Sequence, residues 1–108
     1  MNLSTSTVVI GDAAVITLSG EVDLSTIPML HDALTKALTH HPDRMIIVDL
    51  DGVTVLDDTG LGILLGAAGS AREAGADLSV VCTSQRLRER LDRTGFSRAV
   101  KVRDRTSR

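Results

Sequence analysis

Aromatic residues are almost absent from this chain: Phe96 is the only one among 108 residues, and there is neither Trp nor Tyr. That excludes a pocket lined by rings for a cofactor or a base, and a stacking platform for RNA. Cysteine is nearly missing too. Cys82 stands alone, so no intramolecular disulfide is possible, and no zinc-type spacing exists. Neither sign of charge dominates: 12 Lys and Arg face 14 Asp and Glu, for a net charge of −2. A direct nucleic-acid partner is not expected of such a balance. Long apolar runs are lacking as well. The best candidate, Ile63–Ala68, is short and broken by glycine, so no membrane span is expected. The first twelve residues, MNLSTSTVVIGD, have no basic start and no long apolar stretch, so no signal peptide and a cytoplasmic location are expected.

What is present suits one globular domain over residues 1–108, with a core built from Val, Ile, Leu and Ala. Thr7–Ile10 and Ala14–Ser19 read as strands joined at Gly11-Asp12. Ser25 or Thr26 is placed to cap a helix carrying Pro28 in its first turn, with apolar residues at helical spacing to His40. Met45–Leu50 reads as a covered strand, followed by a turn at Asp51-Gly52. A helix from about Asp58 to Ala74 is closed by Gly75. Leu78–Cys82 is a strand, Ser84–Arg93 a charged helix closed by Gly95, and Ala99–Val102 a last short strand. The order β-β-α-β-α-β-α-β predicts an α/β fold in which helices cover the apolar strand faces.

The informative stretch is Val53–Gly75, VTVLDDTGLGILLGAAGSAREAG: a strand ends in two carboxylates and a hydroxyl and breaks into a glycine-studded helix. Gly60, Gly62 and Gly66 miss the dinucleotide fingerprint by one residue, and no Gly-Lys-Ser/Thr follows for a phosphate loop. Gly62, Gly66 and Gly69 instead form one helical stripe, which admits close approach by a sheet or a partner at about 1 kcal/mol of helix propensity each. Asp49, Asp51, Asp57 and Asp58 gather near one strand end, where a hard metal is conceivable. Cap and turn roles account for them better: Asp57 as N-cap, Asp58 at the positive end of the helix, Asp51 in the turn. No metal, no cofactor and no catalytic residue is therefore expected. The histidines have no companion ligands, and no serine has a His/Asp pair. Arg98, Lys101, Arg103, Arg105 and Arg108 read as a solvated edge strand and tail. Cys82 reads as a small packed apolar residue.

Two stretches together are recognisable. Ser19–Thr26, SGEVDLST, resembles the Gly-Glu-Leu-Asp segment of STAS domains, and Val48–Gly62 resembles that family's Asp-Ser-Ser/Thr-Gly-Leu-Gly signature. The likeness extends to Arg72–Gly75 and Leu91–Phe96, and so covers nearly the whole chain. It implies a STAS-like mixed sheet of about five strands with helices packed on it, and a binding module similar to bacterial anti-sigma factor antagonists rather than an enzyme. Such antagonists bind an anti-sigma factor that is also a serine kinase of the histidine-kinase-like ATPase type, releasing a sigma factor for transcription. The kinase phosphorylates the hydroxyl residue after the signature Asp, which ends binding. The glycine stripe beside polar groups at one sheet end puts the expected partner surface on the first turns of the Asp58–Ala74 helix and on a Gly20–Asp23 turn, with Glu21, Asp23, Asp57, Asp58, Thr59, Gly60, Leu61, Gly62, Ile63 and Gly66 as its residues. The resemblance places the acceptor at Asp58, which has no hydroxyl, and Thr59 is the possible alternative. Either Thr59 takes the phosphate, or Asp58 fixes one state, or regulation enters elsewhere; weak or absent phosphorylation is the expectation adopted. A STAS subunit of a transport or lipid-trafficking ATPase complex is the alternative function. Many relatives carry a further helix after the last strand, so fewer contacts are expected at that end. The oligomeric state is left open.

Overall fold

The computed structural model describes residues 2–104; Arg105 and Arg108, read above as a basic tail, lie outside the described residues. The elements run β1 (Leu3–Ile10), β2 (Ala13–Val22), α1 (Ile27–His40), β3 (Met45–Leu56), α2 (Asp58–Glu73), β4 (Leu78–Val81), α3 (Gln85–Arg93), α4 (Phe96–Ala99) and β5 (Lys101–Arg103). The five strands form one sheet in sequential order. β1 pairs antiparallel with β2, while the β2–β3, β3–β4 and β4–β5 ladders are parallel.

That order dictates where the helices go. Each parallel step advances one strand in the same direction, and right-handed crossovers then lay every intervening helix on the same face. The core agrees. Ile16, Val48 and Val80, at alternate positions of three strands, share one cluster with Leu30 of α1, Leu64 of α2, Leu91 of α3 and Phe96 of α4. The other face has a smaller cluster of sheet residues alone, Val15, Ile47 and Val81 with Ala13 and Met45 against them.

The structure corrects the sequence reading at four places. Asp51-Gly52 is not a turn: β3 continues through it for twelve residues. β2 and β3 run from the Ala13–Met45 pair to the Val22–Leu56 pair with two register shifts, and β3 carries one extra residue at each. The buried positions of β3 beyond Val48 are thus Leu50, Val53 and Leu56, spaced by three rather than two. Likewise Gly20–Asp23, treated as a turn, is mostly strand, since β2 runs to Val22. Thr26 stands at the N-cap of α1 but makes no capping bond. Its buried hydroxyl donates to the Glu21 carbonyl (2.8 Å) and accepts from the Asp23 N–H (3.1 Å), tying the end of β2 to the start of α1. Finally, α4 was not anticipated. Gly95, at φ +85°, turns the chain after α3, and one further turn of helix carries Phe96 into the core before β5 begins at Lys101 rather than Ala99.

Candidate functional site

The chain's chemistry-bearing residues converge where β2 and β3 end side by side. Asp57 leaves β3 in an extended conformation, and its N–H donates to the Val22 carbonyl (3.1 Å). Its carboxylate accepts from the Gly60 N–H (3.1 Å), so it is the N-cap of α2. Gly60 is fixed by packing: a Cβ there would lie 2.5 Å from Val22 Cγ1 and 3.1 Å from Leu56 Cδ1. Leu61 is buried beneath the same turn, so Gly60 and Leu61 set the angle of the helix and present no side chain to solvent.

Asp58 and Thr59 are the two exposed polar residues of the first turn. The Asp58 carboxylate accepts a 2.6 Å hydrogen bond from Arg90 Nη2 of α3, with 87 % of its side chain in solvent. The Arg90 Nε is buried without a hydrogen-bond partner, so this guanidinium is committed at its outer end only. On the adjoining strand end, the Asp23 carboxylate accepts from both the N–H (3.0 Å) and the hydroxyl (2.7 Å) of Ser25. The Ser25 hydroxyl is the main reason that the Asp23 carboxyl titrates below the ordinary carboxylate value. Leu24, at the tip of this turn, is 74 % exposed. Glu21 is half-buried at the end of β2.

Along α2 the glycine stripe faces outward. A Cβ on Gly62, Gly66 or Gly69 would meet nothing within 4 Å, so the sheet is not what these glycines admit. Gly62 lies on the ridge between two grooves. One, of about 300 Å³, runs between α1 and α2 past His31, Leu38, Ile63 and Gly66. The other, of about 390 Å³, runs between α2 and α4 past Asp58, Leu65, Thr94 and Phe96.

The four acids that the sequence groups together are separated by their bonds. Asp49 accepts from the Asp51 N–H (2.9 Å), and Asp51 accepts from the N–H and hydroxyl of Thr83 (2.7 and 3.0 Å). Asp57 caps α2 and Asp58 meets Arg90. Among the described residues, no group of three or more His, Cys, Asp or Glu side chains is placed to hold a metal. What the arrangement offers is a surface: a helix start bearing two polar groups, a ridge without side chains, and exposed Leu24 and Leu65 beside it.

Sequence reasoning did not single out Arg90, Leu24, Met29 or Leu65. Met29 and Leu65 are exposed apolar residues out of phase with the buried positions of their helices, and that phase error was the available signal, whereas Leu24 is an exposed apolar residue in the turn before α1. Arg90 carried none, because its partner lies 32 residues away.

Comparison with known proteins gives a consistent family. The STAS domain family model matches residues 4–107. A curated relative from Staphylococcus aureus (strain NCTC 8325 / PS 47), named anti-sigma-B factor antagonist, is 28 % identical over 106 residues, covering 98 % of this chain and 97 % of its own. Among solved structures, an anti-sigma factor antagonist from Mycobacterium paratuberculosis superposes with a TM-score of 0.86 at 23 % identity, covering 96 % of this chain and 87 % of that one. The anti-sigma factor antagonist SpoIIAA in its unphosphorylated form gives 0.73 at 19 % identity, covering 95 % and 90 %.

Proposed function

The chain belongs to the STAS domain family, and we propose that within it this protein is an anti-sigma factor antagonist. It acts by binding in the cytoplasm and not by catalysis. Its partner is an anti-sigma factor of the histidine-kinase-like ATPase type, and capture of that partner frees a sigma factor for transcription. The surface is the outward face of α2 from Asp58 to Gly66 together with the β2 end at Glu21–Leu24. One observation carries the reading: the three glycines of the ridge open onto space, at a cost in helix propensity that nothing inside the domain repays. Close approach by a partner is what such a ridge provides. Full-length coverage of the antagonist relative supports the same reading.

The regulatory cycle differs from the family's. Asp58 takes the acceptor's place, carries no hydroxyl, and is held by Arg90 across to α3. Thr59 is one residue further, about 100° round the helix. A kinase that must align a hydroxyl with ATP tolerates little misplacement. A phosphate on Thr59 would also repel the neighbouring Asp58 carboxylate. Phosphorylation is therefore weak or absent, and the protein stays in its binding state.

The test is affinity capture on the purified chain from a bacterial lysate, followed by titration against the kinase-like protein recovered and mass spectrometry after incubation with ATP. Recovery of that protein, its loss with Gly62→Leu, and a gain of phosphate in Asp58→Ser are the expected results. Recovery of a transporter ATPase instead would move the assignment to the alternative function. Stoichiometric phosphate on wild-type Thr59 would overturn the cycle proposed here while leaving the partner assignment intact.

A further inference from the structure

The two edges of the sheet are built differently. β5 is three residues long, and carries Lys101 and Arg103, which is how natural sheets discourage further pairing. β1 has none of these devices. It runs eight residues, LSTSTVVI, without a charge or a proline. Its pairing with β2 is one-to-one from Leu3–Gly20 to Ile10–Ala13, with no bulge to twist the edge away. Every β1 residue except Leu3 is exposed, and Val8, Val9 and Ile10 show 52, 45 and 41 % of their surface. Among the described residues β2 is its only strand neighbour. The helix above does not shield it: Thr5, Thr7 and Val9, which point to the helical face opposite Leu18, Ile16 and Ala14, are all exposed.

We propose that the outer edge of β1 pairs antiparallel with β1 of a second copy of this chain, giving a symmetric dimer with a continuous ten-stranded sheet. Antiparallel pairing of a strand with itself satisfies a two-fold axis, so one patch serves both partners. A protein of net charge −2 meets its copy there without like charges in contact, because the strand has no charge at all. A two-fold axis perpendicular to the sheet keeps both sets of helices on the same face. It also requires that opposing residues point to the same side, so the axis must pass through a residue. Centring on Val8 sets Val8 against its copy and Thr7 against Val9. Ser6 then faces Ile10, and all three large exposed apolar residues are covered. The row Val8, Val15 and Ile47 on the helix-free face would then run unbroken through the axis. The contact is a single strand edge, smaller than the roughly 1,200–2,000 Å² of a stable interface, so the dimer is weak, with a dissociation constant on the order of 10–100 μM. The pairing is centred on Val8, towards the opposite end of β1 from the Leu3–Gly20 pair that borders the Glu21–Leu24 part of the partner surface, and the proposal stands independently of the partner assigned there.

Sedimentation velocity of the wild-type chain from about 1 μM to 1 mM tests it, with hydrogen exchange at the β1 amides recorded across the same range. A monomer–dimer equilibrium is expected, together with roughly five- to tenfold slower exchange of the outward-facing β1 amides at the high end, as mass action at that dissociation constant requires. Val8→Lys and Val8→Glu each place two like charges across the axis and should weaken self-association at least tenfold, with unchanged circular dichroism. Their equimolar mixture should restore a dimer. A wild-type monomer throughout, unchanged dimerisation in Val8→Lys, or no restoration on mixing would each overturn the pairing. So would concentration-independent exchange in β1, which needs no variant to fold.

Discussion

Four glycines in one sixteen-residue helix allow the same substitution to be tried in opposite environments. At Gly62, Gly66 and Gly69 an added Cβ meets no atom within 4 Å. Alanine there should recover only helix propensity, about 1 kcal/mol per site, or about 3 kcal/mol for the triple variant. Part of this gain comes from a less flexible unfolded chain. For a domain of this size each kcal/mol corresponds to about 4 °C or more in Tm. At Gly60 the added Cβ falls 2.5 Å from Val22 Cγ1, and the helix start must shift, costing about 1–3 kcal/mol. Urea unfolding followed by circular dichroism reads both, with m-values unchanged if only the native contacts differ. The partner assay provides the second axis. The stabilised triple variant should bind more weakly, because its ridge is filled, and Gly62→Leu should lose binding while staying folded. A triple variant that is no more stable than wild type would show that the ridge is already in contact with something. A stabilised variant with undiminished affinity would remove α2 from the partner surface.

Thr26→Val removes the buried hydroxyl that joins Glu21 to Asp23, and should lower unfolding free energy by about 1–3 kcal/mol, measured by the same urea titration. The Asp77 carboxyl is held below its ordinary value near 3.8, first by the Leu78 N–H and then by Arg72. Its contribution is therefore present above that value and lost as pH falls through the lower folded value. Asp77→Asn should accordingly be less stable than wild type at neutral pH, and the gap should close in acid unfolding curves. Burial pushes the Cys82 thiol above its ordinary value of 9.0, so its contribution is complete below that pH and declines as pH rises through the folded value. Native protein should accordingly label slowly with a thiol reagent at pH 8, and Cys82→Ala should lack this part of the alkaline decline.

Element type was legible wherever burial followed one period. α1 buries Leu30, Leu34 and Ala37, the helical spacing that located it together with Pro28 in its first turn, while α3, which buries Leu87 and Leu91, was legible as a charged stretch closed by Gly95. The N-cap of α2 was legible because Asp57 acts on a backbone N–H three residues away. The unbroken run of β3 through Asp51-Gly52 was not legible, because Leu50, Val53 and Leu56 are spaced by three, a pattern that interrupts strand alternation until β2 is laid beside it. Thr26 looked like a cap by type, yet its hydroxyl answers to Glu21, five residues back on another element. The Asp58–Arg90 contact and the direction of the glycine ridge depend on the angle between helices, which no local pattern encodes.

The two surplus residues of β3 make one stretch of the central sheet tolerant to changes in chain length. Upstream, Ile46–Asp49 is locked by strands on both sides. Downstream, Leu56 opposite Val22 and the Asp57–Val22 hydrogen bond fix where α2 begins. Between them, Asp51 and Thr54 are the exposed additions, and each tethers to another part of the chain: Asp51 to Thr83, and the Thr54 carbonyl to Arg86. Deleting either residue would flatten a bulge and lose its tether, while Val53, Leu56 and the helix start kept their places. Deleting a residue from Ile46–Val48 would instead turn every following side chain to the opposite face. Length differences among related chains in this strand should therefore collect at positions 50–55, a few residues before the surface on which the partner is expected to sit.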